Sequence, residues 1–300
     1  MKTFALVGTT CTGKTHIAAA LAVEFDAEVV CADSMTVYRG MDIGTAKPSA
    51  AERRAVPHHL VDIAAPGDAF TVASFQRSAR AAFADIGSRD RRALVVGGSG
   101  LYFRAAVDDL KFPPTDAAVR ARLQATDPGT LAVRLKELDP EAAAFIDLQN
   151  ARRVVRALEV IELTGQPFSS FRAAWERYAP VVVAGLHVDG DVLDVGARVR
   201  LRAMLEAGFL QEVRALLEAG YRDALTASQA IGYPQAIALI EGAITEAEFI
   251  EETARATRRY ARRQLSWFRR DPRVVWFDAA DGERARDEVR AYYEQHANEE

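Results

Sequence analysis

Gly8-Thr9-Thr10-Cys11-Thr12-Gly13-Lys14-Thr15 follows the apolar run Phe4-Ala5-Leu6-Val7 and leads into Lys14–Glu24, a stretch with helical character. A buried strand, a glycine-bracketed loop of the form G-x-x-x-x-G-K-[ST] and a helix form a phosphate-binding unit. The loop turns backbone N–H groups around an anion, and the helix directs its positive end at the same point. Lys14 adds a point charge, and the Thr15 hydroxyl is a ligand for Mg²⁺. The motif specifies phosphate or diphosphate and does not specify ATP.

Four more apolar runs read as strands: Glu28–Ala32, Ala93–Val96, Val181–Leu186 and Val274–Phe277. Helical stretches separate them, which predicts an α/β fold with a parallel sheet. Two gaps exceed what a single crossover needs. Residues 114–178 and 191–247 are rich in Ala, Leu, Arg and Glu and read as helical insertions. The core is then expected over 1–113, 179–190 and 248–285, with 286–300 as a terminal helix and acidic tail.

The third run ends in Gly97-Gly98-Ser99-Gly100 without the aspartate that NTPases of this fold commonly place there for Mg²⁺. The early carboxylate left is Asp33, after the second run. Ligands of parallel sheets sit at the carboxyl ends of strands, so Asp33 and Ser99 are expected to face the phosphate loop across one crevice. Each has a plainer reading: Asp33 caps the turn that follows, and Ser99 caps a helix over 100–107.

The net charge of −4 argues against a general polyanion binder. Two cysteines, Cys11 and Cys31, make neither a metal-ligand spacing nor a disulfide framework. No apolar run is long enough to span a bilayer, and no signal-peptide pattern is visible, so a cytoplasmic location is expected. His58 and His59 lack metal spacing and read as structural or crevice-lining. Trp267, Phe268 and Trp276 read as core.

The string Asp33-Ser34-Met35-Thr36-Val37-Tyr38-Arg39-Gly40-Met41-Asp42-Ile43-Gly44-Thr45-Ala46-Lys47-Pro48 closely resembles the signature of bacterial tRNA dimethylallyltransferases. Six further blocks resemble the family in the same order: 57–62, 97–102, 156–160, 164–167, 231–233 and 262–268. The resemblance implies a P-loop NTPase-like core. In it, residues Gly8 to Thr15 hold the diphosphate of dimethylallyl diphosphate, with Mg²⁺ near Thr15. It implies Asp33 as general base toward the target adenine, and Asp33, Ser34, Met35 and Thr36 as contacts to that nucleotide. It implies Ser99 as a catalytic and tRNA-contacting residue, in a position where threonine is usual, with the hydroxyl kept. Arg120, Arg152, Arg156, Gly232, Tyr233, Arg262, Arg263 and Gln264 correspond to tRNA-contacting positions. Pro234 stands where arginine is frequent, and Thr10-Cys11-Thr12 replaces Thr-Ala-Ser. The implied acceptor is adenosine 37 in the anticodon stem-loop of tRNAs reading codons that start with U, and a monomer is expected. Rival readings are an adenylate prenyltransferase, a small-molecule P-loop kinase and a non-catalytic RNA-binding protein gated by nucleotide.

Overall fold

A computed structural model describes residues 2–171 and 178–297. Six strands form one all-parallel sheet: β1 (Phe4–Gly8), β2 (Ala27–Cys31), β3 (His58–His59), β4 (Arg92–Gly97), β5 (Val182–His187) and β6 (Val274–Asp278), in the order β3-β2-β4-β1-β5-β6. Every residue of β1 and β2 is buried, as expected where both faces of a parallel sheet are covered. β3 is absent from the sequence reading. It is a pair of histidines with no apolar run, recruited by β2 through pairing of Val29 with His58 and Val30 with His59. Glu28 is a charge inside β2. Burial pushes its pKa up, but Arg89 and His59 bond to it and hold it below the usual carboxylate range.

The helices are, in chain order, α1 (Lys14–Glu24), α2 (Ala50–Ala55), α3 (Val72–Ser88), α4 (Gly100–Val107), α5 (Ala117–Gln124), α6 (Pro128–Leu138), α7 (Pro140–Phe145), α8 (Ala151–Thr164), α9 (Gly190–Glu206), α10 (Phe209–Glu218), α11 (Tyr233–Ile240), α12 (Glu246–Phe268) and α13 (Gly282–Ala297). None among the described residues is long and apolar enough to cross a membrane.

The chain divides into two compact units, residues 1–107 with 180–300, and residues 108–179. The inserted unit begins earlier than the 114 read from sequence. Residues 191–247, set apart in that reading, belong to the sheet-bearing unit: α9 packs on α12 and α10 on α11.

The second unit has its own core, with Leu123, Leu131, Leu135, Val154 and Leu158 at its centre. Asp116, Asp127, Asp139 and Asn150 each accept a backbone N–H at the start of α5 to α8, so all four helix starts are capped by side chains. In the first unit, β1 is central. It pairs with β4 on one side and β5 on the other, so the loop after β1 opens where the strand order reverses.

Candidate active site

The phosphate loop leaves β1 and enters α1 at Lys14, as its sequence predicts. Cys11 holds a left-handed φ of 64° within it. Lys14 turns back onto the loop and donates to the Thr9 carbonyl and, at 3.3 Å, to Thr12 Oγ1. Burial pushes its ammonium down to about 8; Cys11 opposes this, Arg200 adds to it and Asp33 opposes it. The free lysine is still charged below about 8, and an anion beside it would favour the charged form further.

The loop is braced from α12. Gln264, 5 % exposed, accepts the Thr10 N–H at 2.9 Å and donates to the Gly98 carbonyl at 2.9 Å. A Cβ at Gly98 would lie 2.2 Å from the Gln264 amide nitrogen, so any side chain there would push that amide off its bonds. Gln264 thus links the phosphate loop to the end of β4. At this position, which the resemblance assigns to tRNA contact, the amide is bonded within the protein, its oxygen accepting an N–H and its nitrogen donating to a carbonyl.

Asp33 follows β2. Its Oδ1 accepts the N–H of Met35 at 2.7 Å and, more weakly, of Thr36 at 3.4 Å, so the turn-capping reading is part of the truth. Its Oδ2 makes no hydrogen bond among the described residues. Asp33 lines two adjoining cavities. The larger, about 650 Å³, runs over Thr10 to His16, past Gly97 and Gly98 and along Ile43, Thr45, Ala46, Ala203, Met204 and Ala207. The smaller, about 230 Å³, is lined by Asp33, Ser34, Met35, Gly44, Phe209, Gln229 to Gly232, Thr253, Thr257, Tyr260 and Arg263. Thr10, Cys11, Asp33, Thr45, Arg200, Met204 and Tyr260 border both. Each cavity has one buried hydroxyl on its wall without a hydrogen-bond partner, Thr36 Oγ1 in the larger and Thr253 Oγ1 in the smaller.

Arg200 was missed by the sequence reading. It reaches from α9 to Thr10 Oγ1 at 3.4 Å and puts a second cation over the phosphate loop. Its only sequence signal was one arginine among several in a helical stretch.

Other expected residues fall elsewhere. Ser99 does not line the cavity, whose wall ends at Gly98. It opens α4 and gives its carbonyl to the N–H of Phe103 at 2.8 Å. Tyr233 is fully buried, and its hydroxyl donates to Glu212 at 2.7 Å, so its side chain is a packing element. Pro234 sits in the first turn of α11, where a missing N–H costs nothing. Arg262 and Arg263 are exposed on α12. His58 lines the larger cavity, and His59 pairs with Glu28. Phe268 is buried, whereas Trp267, expected in the core, is 39 % exposed.

Within the helical unit, Arg152 is exposed on α8, but Arg120 and Arg156 are not idle. Both reach the fully buried carboxylate of Glu159, at 3.1 and 2.8 Å. Arg156 also donates to the carbonyls of Pro113 and Pro114. Burial pushes the Glu159 carboxyl up, but Arg156, the Asp116 N–H and Arg120 outweigh it and hold the pKa below the ordinary value.

No group of three or more His, Cys, Asp or Glu side chains among the described residues is arranged to hold a metal by itself. Thr15 and Asp33 both line the larger cavity as oxygen donors. Mg²⁺ carried in on a diphosphate needs only one or two protein oxygens, and this donor set fits such an ion.

A parallel sheet with a phosphate loop at its reversal point, opening on two adjoining cavities with a carboxylate at their junction, places the chain in the P-loop class of proteins. The chain matches the IPP transferase family model over residues 36–271 and the isopentenyl transferase model over residues 1–61. The chain belongs to the IPP transferase family. It is 50 % identical to a tRNA dimethylallyltransferase of Pseudarthrobacter chlorophenolicus, covering 92 % of this chain and 93 % of the relative. It is 51 % identical to one of Thermobifida fusca, covering 92 % and 90 %. Among solved structures, it resembles the full-length tRNA isopentenylpyrophosphate transferase of Bacillus halodurans at a TM-score of 0.71 and 39 % identity, covering 98 % and 96 %. It also resembles a eukaryotic dimethylallyltransferase acting on tRNA at a TM-score of 0.84 and 26 % identity, covering 97 % of this chain and 77 % of that one.

Proposed function

We propose that this protein transfers a dimethylallyl group from dimethylallyl diphosphate to N6 of an adenosine in tRNA, giving N6-(dimethylallyl)adenosine and diphosphate. The acceptor is adenosine 37 of tRNAs that read codons starting with U. The observation that carries the reading is the position of Asp33, with one carboxylate oxygen bonded to its own turn and the other open at the junction of the two cavities.

The diphosphate lies on the loop from Thr10 to Thr15, met by backbone N–H groups, Lys14 and Arg200. Thr15 is the residue that would hold Mg²⁺, which supplies further neutralisation of the leaving group's charge. The dimethylallyl tail rests on the apolar wall that includes Ile43, Ala203 and Met204. The adenine leaves its stack and enters the smaller cavity, which anticodon-loop bases do at less cost than paired ones. An exocyclic amine is a weak nucleophile, so Asp33 takes its proton as the N6–C1 bond forms and the C1–O bond breaks. The electron pair of that bond leaves with diphosphate, where the loop's donors stabilise it. Arg152, Arg262 and Arg263 are exposed cations suited to tRNA phosphates. The monomeric state and the cytoplasmic location belong to the same proposal.

The test is incubation with labelled dimethylallyl diphosphate and tRNA, AMP or ATP as acceptors. Label is expected in tRNA alone, in an N6-modified adenosine after digestion, with no ATP required. Label in AMP or ATP would favour an adenylate prenyltransferase, and robust ATP hydrolysis without tRNA would favour a kinase-like enzyme.

A further inference from the structure

The segment Asp42 to Ala46 turns three successive backbone N–H groups toward one point, and Glu212, in the first turn of α10, fills that point. Its Oε2 accepts from the N–H of Asp42 at 2.8 Å and of Ile43 at 2.7 Å. Its Oε1 accepts from the N–H of Gly44 at 3.1 Å and from the Tyr233 hydroxyl at 2.7 Å. Consecutive N–H groups of this kind form an anion-binding nest. Here the anion is internal, and the start of α10 favours its charge.

The loop is fixed from below and behind as well. A Cβ at Gly44 would come within 2.4 Å of the Phe209 ring and 2.6 Å of Tyr233, so the backbone lies flush on both rings. Lys47, whose side chain is 1 % exposed, donates to the Tyr38 carbonyl at 2.6 Å, to Asp42 at 2.7 Å and to Asp62 at 2.5 Å. The loop is the wall shared by the two cavities: Ile43, Thr45 and Ala46 face the larger, and Gly44 and Thr45 face the smaller.

We infer that Glu212 is a positioning residue for the transfer reaction: by holding residues 42–46 in one shape, it sets how the donor cavity and the acceptor cavity meet at Asp33. Glu212 lines neither cavity, so it acts only through the loop. The inference rests on the proposed transfer for its kinetic consequence, and on the loop alone for its dynamic one.

The experiment uses the full chain with Glu212→Gln, which places an N–H₂ among N–H donors, and Tyr233→Phe, which removes one donor and leaves the three amides. Hydrogen exchange of residues 41–47 and steady-state transfer with varied donor and tRNA are read together. For Glu212→Gln, exchange in 41–47 is expected to rise about tenfold or more while β1 and β4 keep their protection. The turnover number is expected to fall about tenfold, with a much smaller change in donor KM, because a small misplacement of reacting groups is costly while the phosphate loop is untouched. Tyr233→Phe is expected to shift both in the same direction by less, and it carries the test if the glutamine variant does not fold. Unchanged exchange in 41–47, faster exchange with turnover within twofold of the parent, or loss of protection spread evenly over the sheet would each overturn the inference. An absence of prenyl transfer by the parent protein would instead count against the proposed reaction and leave the exchange result standing.

Discussion

Asp33 in the sheet-bearing unit and Glu159 in the helical unit are both carboxylates among arginine-bearing helices, and the chain treats them in opposite ways. Glu159 is fully buried and receives Arg120, Arg156 and the Asp116 N–H. Nothing about it waits for a ligand. Asp33 keeps one oxygen free of hydrogen bonds on the wall of two cavities, within electrostatic reach of a lysine that burial has brought down to about 8. Charges that build a fold are closed against one another, and charges that do chemistry are left partly unanswered. The arginines of the helical unit that the resemblance assigns to tRNA divide along this line: Arg120 and Arg156 are partnered by Glu159, and Arg152 is exposed.

The sharpest way to break the comparison is Asp33→Ala. Transfer is expected to fall by at least about 100-fold, the usual scale of a general base, while tRNA binding stays near that of the parent. Turnover within a few-fold of the parent, measured with saturating donor and tRNA, would return Asp33 to a turn cap.

A second effect is smaller and depends on pH. Free Lys14 is charged below about 8 and neutral above it, and diphosphate requires the charged form. Donor binding should therefore be insensitive to this lysine on the acid side and weaken by about tenfold per pH unit above that point, where binding must first take up a proton. Calorimetric titration across this range reads the slope, and Lys14→Met subtracts the ionisation of the diphosphate itself. The same slope in parent and variant would show that Lys14 does not titrate there.

The smallest effect separates two arginines of one helix. Arg156→Ala leaves Glu159 short of a partner and is expected to cost about 1–3 kcal/mol in the stability of the helical unit, with little change in the salt dependence of tRNA binding. Arg152→Ala is expected to leave stability alone and reduce the salt slope by about 0.7 to 0.9, through one phosphate fewer neutralised. Denaturant melts and salt titrations of both variants decide it, and identical behaviour in both assays would erase the distinction between open and closed arginines.

Much of this was legible before any coordinates. The phosphate loop, α1 and five strands are written in continuous apolar runs and glycine spacing, because local sterics and two-sided burial dictate them. Asp33 was legible because it follows such a run. β3 was not, since His58 and His59 pair only because β2 offers an open edge. Arg200 and Glu212 were not legible either. An arginine or glutamate on a helix looks the same whether it meets water or a loop far along the chain, and its partner is fixed only by packing. For the same reason the bonds of Arg120 and Arg156 to Glu159, of Tyr233 to Glu212, and the place of Ser99 off the cavity wall could not be read from sequence.

The central strand also has a consequence for how the chain acquires its fold. β1 is made early, yet one of its two neighbours, β5, lies beyond the whole helical unit, with Phe4 pairing to Val182. Its face is sealed later still: the Tyr293 ring of α13 stacks on Phe4 at 4.4 Å, and its hydroxyl bonds the Ala5 carbonyl 288 positions away. The helical unit is continuous, with a core of its own, and needs no such wait. During synthesis the insertion has all of its core residues in hand before the scaffold that carries it has all of its strands. A nascent chain stalled before β5 would present β1 with one unpaired edge, the kind of surface that chaperones cover and that other chains exploit.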